Sequence, residues 1–151
     1  NMPSANKHIL MILTAGAVFV LDQLIKKWLV TSQFSWQAPW QWLSIHTSTN
    51  EGIAFSVPFP RILLVALSLA ILAVALGWWI KNGHKTTVTA LALGLFIGGA
   101  LGNLLDRLIR PGVIDYLNIL TGSFNLADAA IIAGLFVIIF QQHRKKGTLS
   151  S

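Results

Sequence analysis

The sequence predicts an all-α membrane protein with four transmembrane helices. Of its 151 residues, 54% are hydrophobic and only 11% are charged, and the mean hydropathy is +0.67. A soluble domain carries about 25% charged residues, so this composition excludes an ordinary water-soluble globule, and a disordered chain would need the opposite balance. The apolar residues also stand in unbroken runs, which favours membrane-spanning helices over strands.

The four spans follow from run length, because a helix needs roughly 20 mostly apolar residues to cross the bilayer core. We predict helices over about 9–30, 62–80, 86–105 and 124–142. We expect the first span to be retained rather than cleaved as a signal peptide, since its only small-x-small triplet, Ala15-Gly16-Ala17, lies inside the apolar run. No linker, repeat or low-complexity segment interrupts the chain, so residues 1–151 are predicted to form a single integral membrane domain.

The net charge of +6 comes from basic residues that flank the apolar runs, which is typical of membrane proteins and predicts no nucleic-acid partner. One end of the bundle carries Lys7, Lys81, Lys85, Arg144, Lys145 and Lys146, and the other carries Lys26, Lys27, Arg61, Arg107 and Arg110. Three of the latter five have an Asp within four residues, so we expect them to pair with it rather than to mark a cytoplasmic loop. Both termini are therefore predicted to be cytoplasmic, and segments 31–60 and 106–123 extracytoplasmic.

The first extracytoplasmic segment interleaves tryptophan with glutamine, at Trp36, Gln37, Trp40, Gln41 and Trp42. Tryptophan favours the headgroup level of a bilayer, where its ring is in apolar surroundings and its N–H meets water. We interpret the segment as a small, partly extended element that lies on the outer leaflet. An aromatic belt with no role beyond anchoring is the alternative.

The acidic residues all lie in the outer third of a span or in an extracytoplasmic segment, and they are Asp22, Glu51, Asp106, Asp115 and Asp128. Ionisable groups at membrane depth destabilise the protein unless they are paired or turned inward, so each is a candidate for function. Asp22 and Lys26 are four residues apart and can pair on one helix face, as can Asp106 and Arg110 if the third helix continues.

A stripe of small residues leads along the third helix to one of these acids. The stripe consists of Ala90, Gly94, Gly98 and Gly102, and Asp106 follows one turn later. In lipid, such stripes let a neighbouring backbone approach closely, so this helix should pack tightly and bring Asn103, Asp106 and Arg107 to the outer end of the bundle. For Asp22, Asp106 and Arg107 we favour a salt-bridged scaffold around a site.

Asp115 and Asp128 differ from the other acids because no basic residue lies within four positions of either. One alternative is that Asn125 or Asp128 caps the fourth helix, and another is that each Asp pairs with a distant Arg. The third interpretation is that the two carboxylates converge at the outer bilayer edge. They would then share a proton and activate water for amide hydrolysis without a covalent intermediate.

Other catalytic chemistries lack the necessary residues. The chain contains no cysteine, which excludes a thiolate nucleophile, a disulfide and a cysteine-ligated zinc. A Ser–His pair outside the cytoplasm would have to use His46, and no nucleophile-elbow, HExxH or phosphate-loop motif is present. We therefore predict neither a metal nor a cofactor.

Five motifs, taken in order, resemble the bacterial lipoprotein signal peptidase (signal peptidase II) family of inner-membrane aspartic peptidases. They are Asp22-Gln23-x-x-Lys26, Asn50-Glu51-Gly52-Ile53-Ala54-Phe55-Ser56, Gly98-Gly99-Ala100-Leu101-Gly102-Asn103 with Asp106-Arg107, Val113-Ile114-Asp115-Tyr116, and Phe124-Asn125-Leu126-Ala127-Asp128. The resemblance covers residues 9 to about 142. Two departures are Glu51, where a neutral residue is usual, and Tyr116, where Phe is common.

The resemblance implies a function for the site residues within these motifs. Asp115 and Asp128 would be the catalytic dyad. Lining or supporting residues would be Asn50, Gly52, Asn103, Arg107 and Asn125, and the structural residues would be Asp22, Lys26 and Asp106.

The substrate implied by the resemblance is a prolipoprotein that carries diacylglycerol on its lipobox cysteine and is cut on the N-terminal side of that cysteine. Segment 31–50 would form a β-cradle on the membrane, and Ala54 to about Pro60 a short periplasmic helix that closes over the site. The resemblance also implies contact with membrane lipid and inhibition by the cyclic peptide globomycin. We expect the chain to act as a monomer.

Two other classes of function compete with this interpretation. A small four-helix proton-coupled exporter would use Asp128 or Asp22 to cycle protons, although the acids cluster at one edge rather than at mid-membrane. A non-catalytic assembly or chaperone subunit would use its acids only to satisfy buried basic groups.

Overall fold

The computed structural model describes residues 3–52, 59–81 and 86–147, with side chains up to residue 143. Its helices are α1 (Ser4–Ser32), α2 (Arg61–Lys81), α3 (Thr87–Ile109) and α4 (Leu126–Gly147). Its strands are β1 (Trp36–Gln37), β2 (Leu43–Asn50), β3 (Val113–Ile119) and β4 (Gly122–Phe124). All four helices are long and apolar enough to cross a membrane, so the predicted fold class is confirmed.

Two predicted helix ends are wrong at the side where the strands begin. Helix α3 ends at Ile109 rather than at about 105, because Leu108 and Ile109 extend the apolar run and the Arg110 N–H still bonds to the Asp106 carbonyl at 2.8 Å. The fourth helix begins at Leu126 rather than 124, because Phe124 ends β4 and Asn125 precedes the helix.

Helix α3 is the centre of the bundle, with twelve buried residues against three in α2. The predicted small-residue stripe explains this, because α1 lies against it without space for side chains. A Cβ on Gly98 would lie 2.5 Å from the Ala15 carbonyl oxygen, and one on Gly102 would lie 2.7 Å from Asp22 Oδ2. On another face, Gly99 approaches the Ala127 backbone closely, so α4 packs tightly as well.

The strands form one antiparallel sheet in the order β1-β2-β3-β4. Residues 31–50, predicted to form the cradle, supply β1 and β2, and the segment after α3 supplies β3 and β4. The register pairs Ser48 with Asp115 and Leu117 with Phe124, and it shifts between Ile45 and Ser48. The sheet thus connects the ends of α1 and α3 to the start of α4. The predicted closing element, Ala54 to about Pro60, lies largely outside the described residues.

Candidate active site

A buried ionic cluster joins α1 to α3 beneath the sheet. Lys26 Nζ lies 2.8 Å from Asp22 Oδ2 and 2.8 Å from Asp106 Oδ2, and all three side chains have no exposed surface. Arg110, one turn after Asp106, also pairs with Asp106. Two cations thus face two carboxylates, which is the condition under which buried charge is tolerated. Both predicted i, i+4 ion pairs are confirmed.

The same carboxylates also bind backbone groups of neighbouring elements. Asp106 Oδ2 accepts the Ile114 N–H at 3.2 Å and so ties α3 to β3. Asp22 Oδ1 accepts the Ala127 N–H at 3.1 Å and so ties α1 to α4. The ionic cluster therefore fixes the two elements that carry Asp115 and Asp128.

Gln23, to which the sequence interpretation gave no role, links the two carboxylates of the cluster. Its Nε2 lies 3.1 Å from Asp22 Oδ2 and 3.2 Å from Asp106 Oδ1, within donor distance of both. Gln23 is uncharged, so it does not stand out among the residues of a span as an Asp or a Lys does. Its position directly after Asp22 in the first motif is the only feature of the sequence that indicates a role for it.

Asp128 belongs to a reciprocal cap at the start of α4. Asn125 Oδ1 accepts the Asp128 N–H at 2.9 Å, and Asp128 Oδ2 accepts the Asn125 N–H at 3.1 Å. The capping alternative is therefore correct as geometry. It does not exclude catalysis, because the other oxygen, Asp128 Oδ1, accepts a bond of 2.8 Å from Asn103 Nδ2.

Asp115 lies on β3 with 2% of its surface exposed. Its Oδ1 accepts from Asn125 Nδ2 at 2.7 Å, and its Oδ2 accepts from Asn50 Nδ2 at 3.3 Å. The Asn50 side chain is itself oriented, because its Oδ1 accepts the Gly52 N–H at 3.1 Å. Asn50 and Gly52 thus contribute to the surroundings of Asp115 from the end of β2.

A chain of two amides connects Asp115 to Asp128. Asn125 Nδ2 donates to Asp115 Oδ1 and lies 3.2 Å from Asn103 Oδ1, while Asn103 Nδ2 donates to Asp128. Lys26 Nζ also lies 3.3 Å from Asn103 Oδ1, which orients the Asn103 amide. The structure therefore brings together both Asp residues and all three Asn residues that the sequence indicated, since Asn50 also bonds to Asp115.

Both carboxylates line a single cavity of about 270 Å³. The other lining residues are Asn50, Gly52, Asn103, Arg107, Val113, Gly122, Ser123, Phe124, Ile131 and Ile132. Six of these were not predicted as site residues: Val113, Gly122, Ser123, Phe124, Ile131 and Ile132. Because they are apolar or weakly polar, the sequence does not distinguish them from other residues of a span or strand. Among the described residues, no three carboxylate or imidazole side chains gather into a metal-ligating group.

Arg107 lies in the cavity wall rather than in the ionic cluster. Its guanidinium lies 3.4 Å from the Asn103 carbonyl, its Nε is buried without a hydrogen-bond partner, and within the described part of the chain it forms no ion pair. The predicted salt bridge of Arg107 is wrong, because Arg110 reaches Asp106 from the next turn. Arg107 thus lines the cavity as a cation that pairs with no carboxylate of the described residues.

The electrostatic surroundings of Asp115 favour its protonated form. Burial, together with the smaller effect of the nearby Asp128 carboxylate, raises the pKa of Asp115 to about 6, although hydrogen bonds from Asn50 and Asn125 and the charge of Lys26 oppose the shift. Across residues 3–52, 59–81 and 86–143, neither Asp115 nor Asp128 pairs with a basic side chain. The alternative in which each pairs with a distant Arg is therefore wrong for these ranges.

Comparison with known proteins agrees with this geometry. The family model for signal peptidase (SPase) II matches residues 14–144. The chain belongs to the signal peptidase II family. It is 34% identical over 150 residues to the lipoprotein signal peptidase of Pseudoalteromonas atlantica, which covers 90% of each chain. It is 38% identical over 142 residues to that of Beijerinckia indica subsp. indica, which covers 84% of this chain and 83% of the relative.

Solved structures agree with the fold of this signal peptidase II. A bacterial membrane enzyme determined by the in meso method at 2.3 Å resolution superposes with a TM-score of 0.81 at 25% identity, covering 91% of this chain and 90% of that one. A second, at 1.9 Å resolution, gives a TM-score of 0.76 at 26% identity, covering 87% and 91%.

Membership of this family decides between the classes of function. The protein is a lipoprotein signal peptidase, a protease of the aspartic type, and a multi-pass protein of the inner membrane. The exporter and the non-catalytic subunit are therefore wrong as interpretations of the sequence.

Proposed function

We propose that Asp115 and Asp128 form the catalytic dyad of this peptidase. The observation that carries the proposal is that both carboxylates lie in one cavity with no basic partner among the described residues, joined through Asn125 and Asn103. Their substrate is a prolipoprotein with diacylglycerol on the lipobox cysteine, and the bond cut is the peptide bond on the N-terminal side of that cysteine.

The dyad performs hydrolysis by sharing one proton. Two adjacent carboxylates in a low-dielectric site do not both ionise, so one stays protonated while the other is charged. The charged carboxylate takes a proton from water, and the resulting hydroxide adds to the scissile carbonyl, which the protonated carboxyl polarises. The leaving amine then receives a proton as the C–N bond breaks. The pair titrates as a unit, so neither residue alone is the base.

The residues around the dyad hold it and its substrate. Asn103 and Asn125 donate to the carboxylates and set their orientation, and Asn50 with Gly52 supports Asp115 from the β2 side. The guanidinium of Arg107, which lines the same cavity, supplies positive charge near the carbonyl oxygen, where negative charge develops in the transition state. Asp22, Lys26 and Asp106 keep α1, α3 and the start of α4 in register.

A lipid-facing groove supports the lipidated substrate. An apolar groove of about 370 Å³ runs between α2, α3 and α4, with Phe96 of α3 about 10 Å below Asn103 along the helix axis. Acyl chains fit this groove while water reaches the dyad from the outer face. In this arrangement both termini are cytoplasmic, the site lies near the outer leaflet, globomycin competes for the cavity, and the chain works as a monomer.

The test is cleavage of a diacylglyceryl precursor by purified variants, followed as a gel shift with and without globomycin. Asp115→Asn and Asp128→Asn should each lower turnover by at least about 1,000-fold, because either change removes the shared proton and its acceptor. Both proteins should still insert and purify.

Glu51→Gln is the matched control for these variants. It makes the same carboxylate-to-amide change at an exposed position between two cavity residues, and its turnover should stay within about twofold of the parent. Substantial turnover by either dyad variant would refute the assignment, as would equal losses in all three.

A further inference from the structure

The start of α4 has an unusual set of hydrogen-bond acceptors. The first N–H groups of a helix have no partner within it, and water or side chains must satisfy them. Here each has a side-chain acceptor: Asn125 N–H bonds to Asp128, Leu126 N–H to Tyr116, Ala127 N–H to Asp22, and Asp128 N–H to Asn125. Side chains from α1, from β3 and from the start of α4 itself therefore hold the first turn of the helix that carries Asp128.

Tyr116 is the member of this set that comes from the strand carrying Asp115. Its Oη accepts the Leu126 N–H at 3.0 Å. The β3–β4 register pairs Leu117 with Phe124, so the chain after β4 continues alongside Tyr116 and Asp115. The Tyr116 hydroxyl therefore joins β3 to the start of α4. Tyr116 directly follows Asp115, and Leu126, whose N–H it accepts, lies two residues before Asp128.

The hydroxyl can keep this role over a wide pH range. Burial raises the pKa of Tyr116, and the charges of Asp22, Asp128 and Asp115 raise it further, against the opposing effect of the Leu126 hydrogen bond. The residue therefore stays a neutral phenol. A neutral hydroxyl that accepts one bond still has its own proton to donate, so it adds no negative charge beside the three carboxylates.

We propose that Tyr116 is a positioning residue for the dyad: its hydroxyl holds the first turn of α4 against β3 and so sets the separation of Asp115 and Asp128. This proposal rests on the proposed dyad chemistry. Proton sharing between two carboxylates depends steeply on their distance, and small misplacements of reacting groups lower the rate of the chemical step more than substrate binding.

The test is Tyr116→Phe, which removes the hydroxyl and keeps the ring. We expect kcat to fall about tenfold, with KM changed less than about twofold, because the lost contact acts on the dyad and not on the substrate. The measurement is the initial rate of cleavage over a range of diacylglyceryl precursor concentrations.

Thr86→Val is the matched control because it removes an equivalent cap at the opposite end of the bundle. Thr86 Oγ1 accepts the Thr89 N–H at 3.0 Å at the start of α3. Both variants should lose a similar amount of thermal stability, but only Tyr116→Phe should lose kcat. Unchanged kcat in Tyr116→Phe, a fall confined to KM, or equal falls in kcat for both variants would overturn the proposal.

The test of Tyr116 can be distinguished from the test of the proposed dyad. If the parent cleaves the precursor and Asp115→Asn and Asp128→Asn do not, the dyad stands, and a fully active Tyr116→Phe then refutes the positioning role alone. If the dyad variants remain active, the dyad itself falls, and the positioning role falls with it.

Discussion

At the scale of single residues, the conflict between burial and charge at Asp115 should be measurable as a pH-dependent stability. The folded-state pKa of Asp115 is raised to about 6, whereas an unfolded Asp titrates near 4. The folded state therefore binds the proton more tightly. Below about pH 4 the carboxyl is protonated in both states and leaves the free energy of unfolding unchanged. Its ionisation lowers that free energy progressively as the pH rises from about 4 to about 6.

We predict that Asp115→Asn removes this loss of stability at neutral pH. The melting temperature of the variant minus that of the parent should increase by about 5 °C between pH 4 and pH 8, with most of the change between pH 4 and 6. The measurement is thermal unfolding in detergent at a series of pH values. A difference that is flat with pH, or that falls as pH rises, would contradict the raised pKa.

The proposed dyad could be singled out in the sequence because charge is scarce in this chain. With five acids in 151 residues, the absence of a nearby base at Asp115 and Asp128 was informative. The roles of Gln23 and Tyr116 were not predictable in the same way. Gln23 is uncharged and Tyr116 differs from Phe only by its hydroxyl, so the partners of both groups become known only when distant segments are brought together.

At the scale of secondary-structure elements, α3 packs so closely against α1 that a methyl group added at Gly98 should destabilise the protein. A Cβ there would lie 2.5 Å from the Ala15 carbonyl oxygen and 2.8 Å from Val18 Cβ, so the α1 backbone must shift. We predict that Gly98→Ala destabilises the protein by about 1–3 kcal/mol, measured as a lower melting temperature in detergent.

Gly16→Ala is the control for that variant, since it lies on the partner helix and faces open space. Nothing lies within 4 Å of a Cβ on Gly16, so the change should be neutral or stabilising by up to about 1 kcal/mol through helix propensity. Equal effects of the two changes would show that the spacing between α1 and α3 is not set at Gly98.

The helices were more predictable than the strands for a physical reason. Apolar runs of about 20 residues identify a span without any knowledge of neighbours. The strands β3 and β4 are only 7 and 3 residues long. Strand β4 pairs with β3, and β3 pairs with β2, which lies more than 60 residues earlier in the chain. Such pairing depends on the helices that bring the segments together, so the sequence indicated an extended cradle but not its last two strands.

At the scale of the whole molecule, the orientation in the bilayer depends on a small excess of basic residues at one end, and it has a direct test. The chain contains no cysteine, so single-cysteine variants can be labelled without background. Ser4, at the start of α1, and Thr121, in the turn between β3 and β4, are both exposed and lie at opposite ends of the bundle.

We predict that a membrane-impermeant maleimide labels Thr121→Cys in intact spheroplasts and labels Ser4→Cys only after the membrane is permeabilised. The physical reason is that the paired charges of Lys26 and Arg110 do not retain a segment in the cytoplasm as free basic residues do. Labelling of both variants after permeabilisation serves as the control for reactivity. Labelling of Ser4→Cys before permeabilisation, with Thr121→Cys protected, would reverse the topology and place the proposed dyad at the cytoplasmic face, against the proposed site near the outer leaflet.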